Sequence, residues 1–364
     1  MSRKIAITGG HSTGLALIEE IRKQHPDWQI YYFGRKYALE GRKAPSFDAQ
    51  VVSQIKFIKF ISLTTGRLQR RFSFSALLSL LKIPYGFCQT LYWLIKIRPD
   101  LILSFGGYVS VPVVVVGWLL GIPSITHEQT QTIGLATKIN SLFSKKVALA
   151  FPQLVSKFSS SKAVYTGMPL RDCLHNKTRP ESLINLDRRL KATKKPLLYI
   201  ATGKTGSQKI NDLIKKLVPI LTQKYVILHQ VGELDFAKYQ SLINKNYWPK
   251  AFLPSQEQGW ALNKADLLVS RAGANITFEI LFLKKAAIFI PLPFSSQEEQ
   301  KKNAAWFVSL GGGKMLEQKG LSPKKLLTTI RQVLKDKEIY FKNLQKIKIK
   351  NGRQHILRLV EEIF

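Results

Sequence analysis

The sequence predicts an α/β protein made of two doubly wound, Rossmann-like domains. Three observations lead there. The chain has 364 residues with 45% hydrophobic and 10% aromatic content, enough apolar material for two cores. Each half opens on the same unit of short apolar strand, glycine-rich turn and helix. In the first half Lys4 to Thr8 precedes Gly9-Gly10-His11-Ser12-Thr13-Gly14; in the second, Pro196 to Ala201 precedes Thr202-Gly203-Lys204-Thr205-Gly206-Ser207. Finally, residues 266–303 read as strand, tight turn, helix, strand, turn, helix. That is a parallel unit whose turns sit at the carboxyl ends of the strands, where open α/β sheets bind ligands. Two such domains are expected to face each other across a cleft.

The 266–303 stretch organises the rest. Leu267, Leu268 and Val269 form a strand that breaks at Ser270-Arg271-Ala272-Gly273-Ala274. Ile276, Ile280, Leu281 and Leu283 then recur at helical spacing, with Glu279 toward the pocket. A second apolar run, Ala287 to Ile290, stops at Pro291 and Pro293, and polar Gln297 to Asn303 opens another helix. Small residues at 272–274 let a ligand approach the N–H groups of a helix N-terminus, a natural phosphate site. An ordinary strand-to-helix turn has the same composition.

Composition narrows the class. Cys88 and Cys173 have no neighbours at metal-ligand spacing and suggest no disulfide. The N-terminus lacks the apolar run of a signal peptide, and the longest apolar segment, Val111 to Pro123, is shorter than the ~20 residues needed to span a bilayer. A soluble cytosolic protein is expected. The formal net charge of +33 draws such a protein to nucleic acid or to an anionic membrane surface. No zinc-finger spacing or RNA-recognition signature is present, so no nucleic acid is expected as a partner. Solvated lysines account for part of the basicity.

Along the first half, the helix after Gly14 runs to about Gln24, ahead of Pro26. The turn at residues 9–14 lacks the spacing of a dinucleotide fingerprint. His11 either faces the pocket mouth or is a hydrogen-bonded turn residue. Residues 64–99 mix Arg67, Arg70, Arg71, Lys82, Lys96 and Arg98 with Phe72, Phe74, Leu77, Leu81, Tyr92 and Trp93. They read as an interfacial patch ringed by cations or as a core helix with a basic face. Asp100 to Ser104 is a strand, Phe105 to Ser110 a second glycine-rich turn, and Ser124 to Thr126 another strand. His127-Glu128-Gln129-Thr130 is placed in the following loop, where His127 and Glu128 serve either as base and acid or as fasteners. The fastening role suits His127 better.

The first domain is taken as residues 1–167, followed by a linker at 168–195 and a second domain at 196–344. The final helix, about 345–364, is expected to pack back on the first. Gly203-Lys204-Thr205 is no P-loop, because Leu198 stands where that motif needs glycine.

These pieces allow one chemistry best. No D-x-D pair is present to hold a divalent ion on a nucleotide diphosphate, and no metal or cofactor is expected. A diphosphate leaving group would be stabilised by helix N-termini and by cations such as Arg171 or Lys204. Glu279 is placed to accept both ribose hydroxyls, and His11 has the intrinsic pKa of a general base for an acceptor hydroxyl. The parts fit metal-independent glycosyl transfer from a nucleotide sugar.

TGGH at 8–11, FGGYVSVP at 105–112, IPSITHEQ at 122–129, TGMPLR at 166–171, VSRAGA at 269–274, IPLP at 290–293 and a Gln300-to-Ala304 QxxNA run in order along the chain. Together they resemble the MurG family of bacterial N-acetylglucosaminyltransferases. The resemblance implies a GT-B fold and inverting transfer from UDP-N-acetylglucosamine to the undecaprenyl-diphosphate-linked muramoyl-peptide (lipid I), giving lipid II. It also implies peripheral attachment to the anionic cytoplasmic face of the cell membrane. By position it assigns Thr8, Gly9 and Gly10 to the first glycine loop and His11 to acceptor activation. Gly106, Gly107 and Tyr108 fall on the acceptor-diphosphate loops. Donor contacts fall on Thr130, Arg171, Lys204, Leu253 (uracil, through its backbone), Ala274, Asn275, Ile276, Thr277, Phe278, Glu279 (ribose) and Gln300 (sugar hydroxyls). Three positions depart from the family. Gly14 replaces a proline, Thr130 an asparagine, and TGKTGS the usual GGSQGA, which puts Lys204 where a phosphate-contacting serine is expected. The HEQ and SRAGA matches favour this family over a related glycolipid synthase acting on diacylglycerol, and the site residues, kept as an ensemble, favour it over a non-catalytic basic membrane-binding protein.

Overall fold

A computed structural model describes residues 2–37, 46–66, 74–176 and 178–364, apart from the side chains of His11, Phe47, Asp48, 74–79 and Ser296. The chain forms two units, Met1–Arg171 with Lys350–Phe364, and Asp172–Ile349.

The first unit contains β1 (Lys4–Thr8), α1 (His11–Gln24), β2 (Gln29–Gly34), α2 (Phe47–Val51), β3 (Ile58–Ser62), α3 (Phe74–Ile97), β4 (Leu101–Ser104), α4 (Ser110–Leu119), β5 (Ser124–Glu128), α5 (Leu135–Phe143), β6 (Lys146–Leu149) and β7 (Ala163–Tyr165). Its seven strands are ordered β3-β2-β1-β4-β5-β6-β7 and every pair is parallel. The central strands are apolar at nearly every position because helices cover both faces. Ile5 and Ile7 point into one core with Leu17 and Ile21. Ala6, between them, points into the other with Leu94 and Val113.

The second unit contains α6 (Ile184–Thr193), β8 (Leu197–Ala201), α7 (Gln208–Lys224), β9 (Val226–Gln230), α8 (Ala237–Gln240), β10 (Tyr247–Lys250), α9 (Ser255–Lys264), β11 (Leu267–Ser270), α10 (Ala274–Phe282), β12 (Ala287–Phe289), α11 (Glu299–Ser309), β13 (Gly313–Met315), α12 (Pro323–Lys335) and α13 (Lys337–Gln345). Its sheet runs β10-β9-β8-β11-β12-β13, again all parallel. In each sheet the strand order reverses once, between β1 and β4 and between β8 and β11. A crevice opens at the carboxyl ends of such a pair, because the two connections leave on opposite faces.

Two segments differ from the sequence expectation. His127 and Glu128 lie inside β5, opposite Ala148 and Leu149, not in the loop after it. Pairing with β6 carries the strand past Thr126, and both side chains are buried. The polar stretch 168–195 divides, its first four residues in the first unit and the remainder in the second. It includes α6, whose period is hidden because its inward face carries a charge: Asp187 is buried beside Leu186 and is paired with Lys191 at 2.8 Å and Arg179 at 3.2 Å.

The chain ends with α14 (Gly352–Glu361), which packs on α1 in the first unit. Ile356, Leu357 and Val360 enter the core beside Ile5 and Leu17. The Gly352 N–H donates to the Met168 carbonyl at 2.8 Å, Asn351 caps the helix by accepting from the Arg353 N–H, and Arg353 Nε lies 3.6 Å from Glu20 with both side chains 7% exposed. A Cβ on Gly352 would sit 2.4 Å from the Gly167 carbonyl oxygen, so the two backbones meet only because no side chain intervenes. Gly352→Ala is therefore expected to destabilise the first unit by about 2 kcal/mol, the usual cost of forcing atoms into a packed site. Thermal denaturation followed by circular dichroism tests this, and an unchanged midpoint would refute the packing argument.

Candidate active site

In the second unit the turns after β8, β11, β12 and β13 are joined by one guanidinium. Arg271 Nη1 donates to the carbonyls of Ile290 at 2.8 Å and Pro291 at 3.2 Å. Its Nη2 donates to Ser207 Oγ and to Gln318 Oε1, both at 2.6 Å. Burial lowers its pKa to about 10, which leaves it a cation at neutral pH. Only arginine carries enough fixed donors for this pattern. Asn303, fully buried in α11, donates to the Ala272 carbonyl at 3.1 Å and ties the same turn from the other side.

The turn so held starts α10. Its N-cap, Gly273, is extended and supplies no side-chain cap. The first helical hydrogen bond runs from the Thr277 N–H to the Gly273 carbonyl at 3.1 Å, and Thr277 Oγ1 donates to the same oxygen at 2.9 Å. The N–H groups of Ala274, Asn275 and Ile276 therefore have no acceptor within the helix. A Cβ on Gly273 would meet nothing within 4 Å, so the space before this positive helix end is open. Asn275 and Ile276 are half-buried, whereas Thr277, Phe278 and Glu279 are buried.

The neighbouring turns complete this edge. Lys204 Nζ lies 3.9 Å from Glu233 and 5.9 Å from the centroid of Phe252. Leu253 is fully buried, and Phe252 beside it is 40% exposed. Gln300 Oε1 accepts from the Leu292 N–H at 3.0 Å.

In the first unit, the turns after β1 and β4 are pressed together. Gly9 and Gly10 are left-handed, at φ 74° and 77°, and a Cβ on Gly9 would lie 2.2 Å from the Gly106 carbonyl oxygen. A buried hydroxyl network supports the second turn. Ser104 Oγ accepts from the Gly106 N–H at 3.2 Å, Thr126 Oγ1 at 3.2 Å and Asn140 Nδ2 at 3.0 Å. Asn140 also donates to Ser110 Oγ, which in turn donates to the Gly107 carbonyl. Tyr108 is half-buried next to Gly107. Thr8 Oγ1 is buried without a hydrogen-bond partner among the described residues. His11 opens α1 directly after Gly10; its side chain lies outside the described residues. Arg171, half-buried, is the last residue before the chain enters the second unit.

Both acidic and imidazole groups of β5 are structural. Glu128 Oε1 accepts from the N–H and Oγ1 of Thr130, at 3.0 and 2.8 Å, and Oε2 from the Gly134 N–H at 2.9 Å. His127 Nε2 faces the Gly167 carbonyl at 3.2 Å, so this nitrogen carries the proton. Its Nδ1 is buried with no partner among the described residues, and burial lowers the pKa to about 4. No group of three or more His, Cys, Asp or Glu side chains suited to a metal occurs among the described residues.

The glycosyltransferase family 28 N-terminal domain matches residues 8–149, and its C-terminal domain matches residues 197–359. A Geobacillus thermodenitrificans UDP-N-acetylglucosamine–N-acetylmuramyl-(pentapeptide) pyrophosphoryl-undecaprenol N-acetylglucosamine transferase is 31% identical over 369 residues, 99% of each chain. A Clostridium kluyveri protein of the same name is 32% identical over 368 residues, 99% of each chain. The chain belongs to the MurG family. Its fold agrees. The crystal structure of Acinetobacter baumannii MurG, 23% identical, superposes with a TM-score of 0.72 over 100% of both chains, and the architecture is GT-B.

Measured against this family's fold, the second unit brings Lys204, Leu253, the 274–279 helix start and Gln300 to the carboxyl edge of one sheet. The first unit does the same for residues 8–11, 106–108 and Thr130. Arg271 was visible in the sequence only as part of a motif. Its role as the clamp of four turns depends on sheet order, which no local pattern reveals.

The His127 environment sets a pH dependence. Its folded pKa, about 4, lies below the unfolded value of about 6.5. As pH falls below 6.5 the unfolded chain takes up a proton that the folded chain refuses, so stability drops until about pH 4 and then levels. The loss is on the order of 3 kcal/mol. Urea denaturation across pH 7.5 to 4 should show this slope, and His127→Gln should lessen it by about that amount, leaving the share of His229, whose pKa burial lowers to about 3. An equal slope in both proteins would count against a buried neutral imidazole.

Proposed function

We infer that this protein transfers N-acetylglucosamine from UDP-N-acetylglucosamine to the muramoyl sugar of lipid I, forming lipid II in peptidoglycan biosynthesis with inversion at the anomeric carbon. The observation that carries this is identity above 30% over 99% of the length of transferases named for that reaction. In this reading the second unit binds the donor. The N–H groups of Ala274, Asn275 and Ile276 and the Lys204 ammonium take the diphosphate. Glu279 takes the ribose hydroxyls, the Phe252–Leu253 turn takes the uracil, and Gln300 exchanges its Leu292 N–H for the sugar hydroxyls. The Gly106–Tyr108 turn takes the acceptor diphosphate. His11 removes the proton of the attacking hydroxyl while the bond from the anomeric carbon to the diphosphate breaks, its electron pair staying on phosphate.

The acceptor is lipid-linked, and the first unit carries a surface suited to a bilayer. Among the described residues no helix is long and apolar enough to cross a membrane. Yet α3 exposes Leu81, Tyr85, Tyr92 and Ile95 along one stripe, and the adjoining α4 and α5 expose Trp118, Leu119 and Leu142. Lys96 lies over the Tyr92 and Trp93 rings at 5.5 and 5.2 Å. Aromatic and aliphatic side chains flanked by cations suit insertion among anionic headgroups. The arginines at 67, 70 and 71 and Phe72, part of the patch expected from the sequence, lie outside the described residues. Trp118, Leu119 and Leu142 join that patch only through helix packing.

Purified protein given labelled UDP-N-acetylglucosamine should transfer the sugar to lipid I, and transfer to diacylglycerol alone would overturn the assignment. His11→Ala is expected to slow turnover roughly 10²–10⁴-fold with donor saturating, and a loss under about threefold would remove His11 as general base. Binding to anionic vesicles should weaken with added salt and fall at least about tenfold in a Leu81→Asp, Trp118→Asp double variant. Equal binding to neutral vesicles at every ionic strength would argue against this surface.

A further inference from the structure

A chain of buried polar groups in the second unit serves none of the donor contacts directly. His229 in β9, Tyr247 in β10 and Asn211 in α7 are each 0% exposed. Asn211 Nδ2 donates to the Val231 carbonyl at 2.7 Å and to Asp235 Oδ2 at 3.0 Å. Lys238, 2.9 Å from the other oxygen of Asp235, keeps that carboxyl below the usual carboxylate range. Both partners of the amide nitrogen can therefore only accept. Asn211 Oδ1 is thereby turned toward His229 and accepts from Nε2 at 3.1 Å. The imidazole is then neutral with its proton on Nε2, and Nδ1 accepts from the Tyr247 hydroxyl at 2.9 Å. Every hydrogen in this chain has a matching acceptor, and a satisfied buried network of this kind fixes one arrangement of the backbone it touches.

That backbone shapes the turns assigned to the donor. The Val231 carbonyl, held by Asn211, is also the surface on which the turn after β8 packs: a Cβ on Gly206 would lie 2.2 Å from its oxygen. Thr202 Oγ1 donates to the Gln230 carbonyl at 2.6 Å, and the Glu233 N–H to the Lys204 carbonyl at 3.1 Å. The Gly232 N–H donates to the Ala251 carbonyl at 3.1 Å and ties in the Phe252–Leu253 turn. Asn211 itself stands in the first turn of α7, its N–H donating to the Ser207 carbonyl at 2.8 Å. We propose that the Tyr247–His229–Asn211 chain is the positioning device of the donor site, setting through the Val231 carbonyl where the 202–207 and 252–253 turns meet the nucleotide. The inference rests on the donor reading above. His229 and Asn211 are positioning residues and touch no substrate. An apolar residue of similar size at 229 would fill the space, but Asn211 Oδ1 would lose its donor and the amide its fixed orientation toward Val231.

Steady-state kinetics and UDP titration calorimetry test this on wild type, His229→Leu, His229→Gln, Tyr247→Phe and the core variant Ile227→Ala. His229→Leu should raise the donor KM and weaken UDP roughly tenfold, the effect of a buried hydrogen bond lost with its partner left unpaired. With donor saturating, kcat and the acceptor KM should stay within about threefold of wild type. His229→Gln, whose amide can donate to Asn211 and accept from Tyr247, should recover most of the affinity. Ile227, fully buried in the same strand, lies outside the chain. Ile227→Ala should lower the melting midpoint while leaving UDP affinity within about threefold of wild type. UDP binding by His229→Leu within about threefold of wild type, no recovery in His229→Gln, or an equal loss in Ile227→Ala would overturn the proposal. Should His229→Leu fail to fold, Tyr247→Phe decides, because it deletes a single hydroxyl. UDP weakened at least about threefold supports the chain, and unchanged affinity overturns it. Wild-type protein that binds no UDP would instead sink the donor reading itself.

Discussion

Parallel pairing of β1 with β4 and of β8 with β11 is the constraint on which everything else here depends. Because every strand in a sheet runs the same way, every turn that follows a strand emerges at one edge. Because the order reverses at those two pairs, the connections part to opposite faces and leave a crevice between them. Residues far apart in sequence are thereby collected: Gly9 against Gly106 in one unit, Ser207 against Arg271 in the other. The glycines and the guanidinium are two solutions to the same crowding. In the first unit the turns touch backbone to backbone; in the second a buried cation ties them.

Electrostatics then divides the labour. A +33 chain has cations everywhere, but position decides what each does. Arg271 is desolvated and spends its donors on carbonyls and side chains of its own unit. Lys204, on the adjacent turn, is half-exposed and lies 3.9 Å from Glu233. Lys96 lies on aromatic rings of α3, where its charge borders an apolar surface. The imidazoles of His127 and His229 are buried and neutral, with pKa values pushed down to about 4 and 3 by desolvation. They serve as hydrogen-bonding groups: His127 faces Gly167, and His229 lies between Tyr247 and Asn211. Neither is suited to carry protons near neutral pH.

Much of this was readable along the chain. The apolar runs at β1, β8 and β11, the glycine-rich turns after them and the helical spacing of Ile276, Ile280 and Leu281 are local patterns. They report strand, turn and helix directly because backbone preference and burial act over a few residues. The polar stretch holding α6 was not readable, since Asp187 is buried where a helix would ordinarily show an apolar residue. Glu128 was ambiguous for a similar reason: a carboxylate near a glycine-rich turn looks catalytic until its oxygens are seen accepting from Thr130 and Gly134.

By itself, then, the sequence determined the fold class, the family and the glycine-rich turns at the ends of the strands, because each is written in contiguous residues whose type and spacing are constrained locally. Tertiary structure alone decided which turns are neighbours. It also decided that Arg271 braces the turns around it, that β5 extends through Glu128, and that Trp118 and Leu142 join the α3 surface. Those outcomes follow from strand order and helix packing, which bring together side chains separated by tens of residues and set how much water each one keeps.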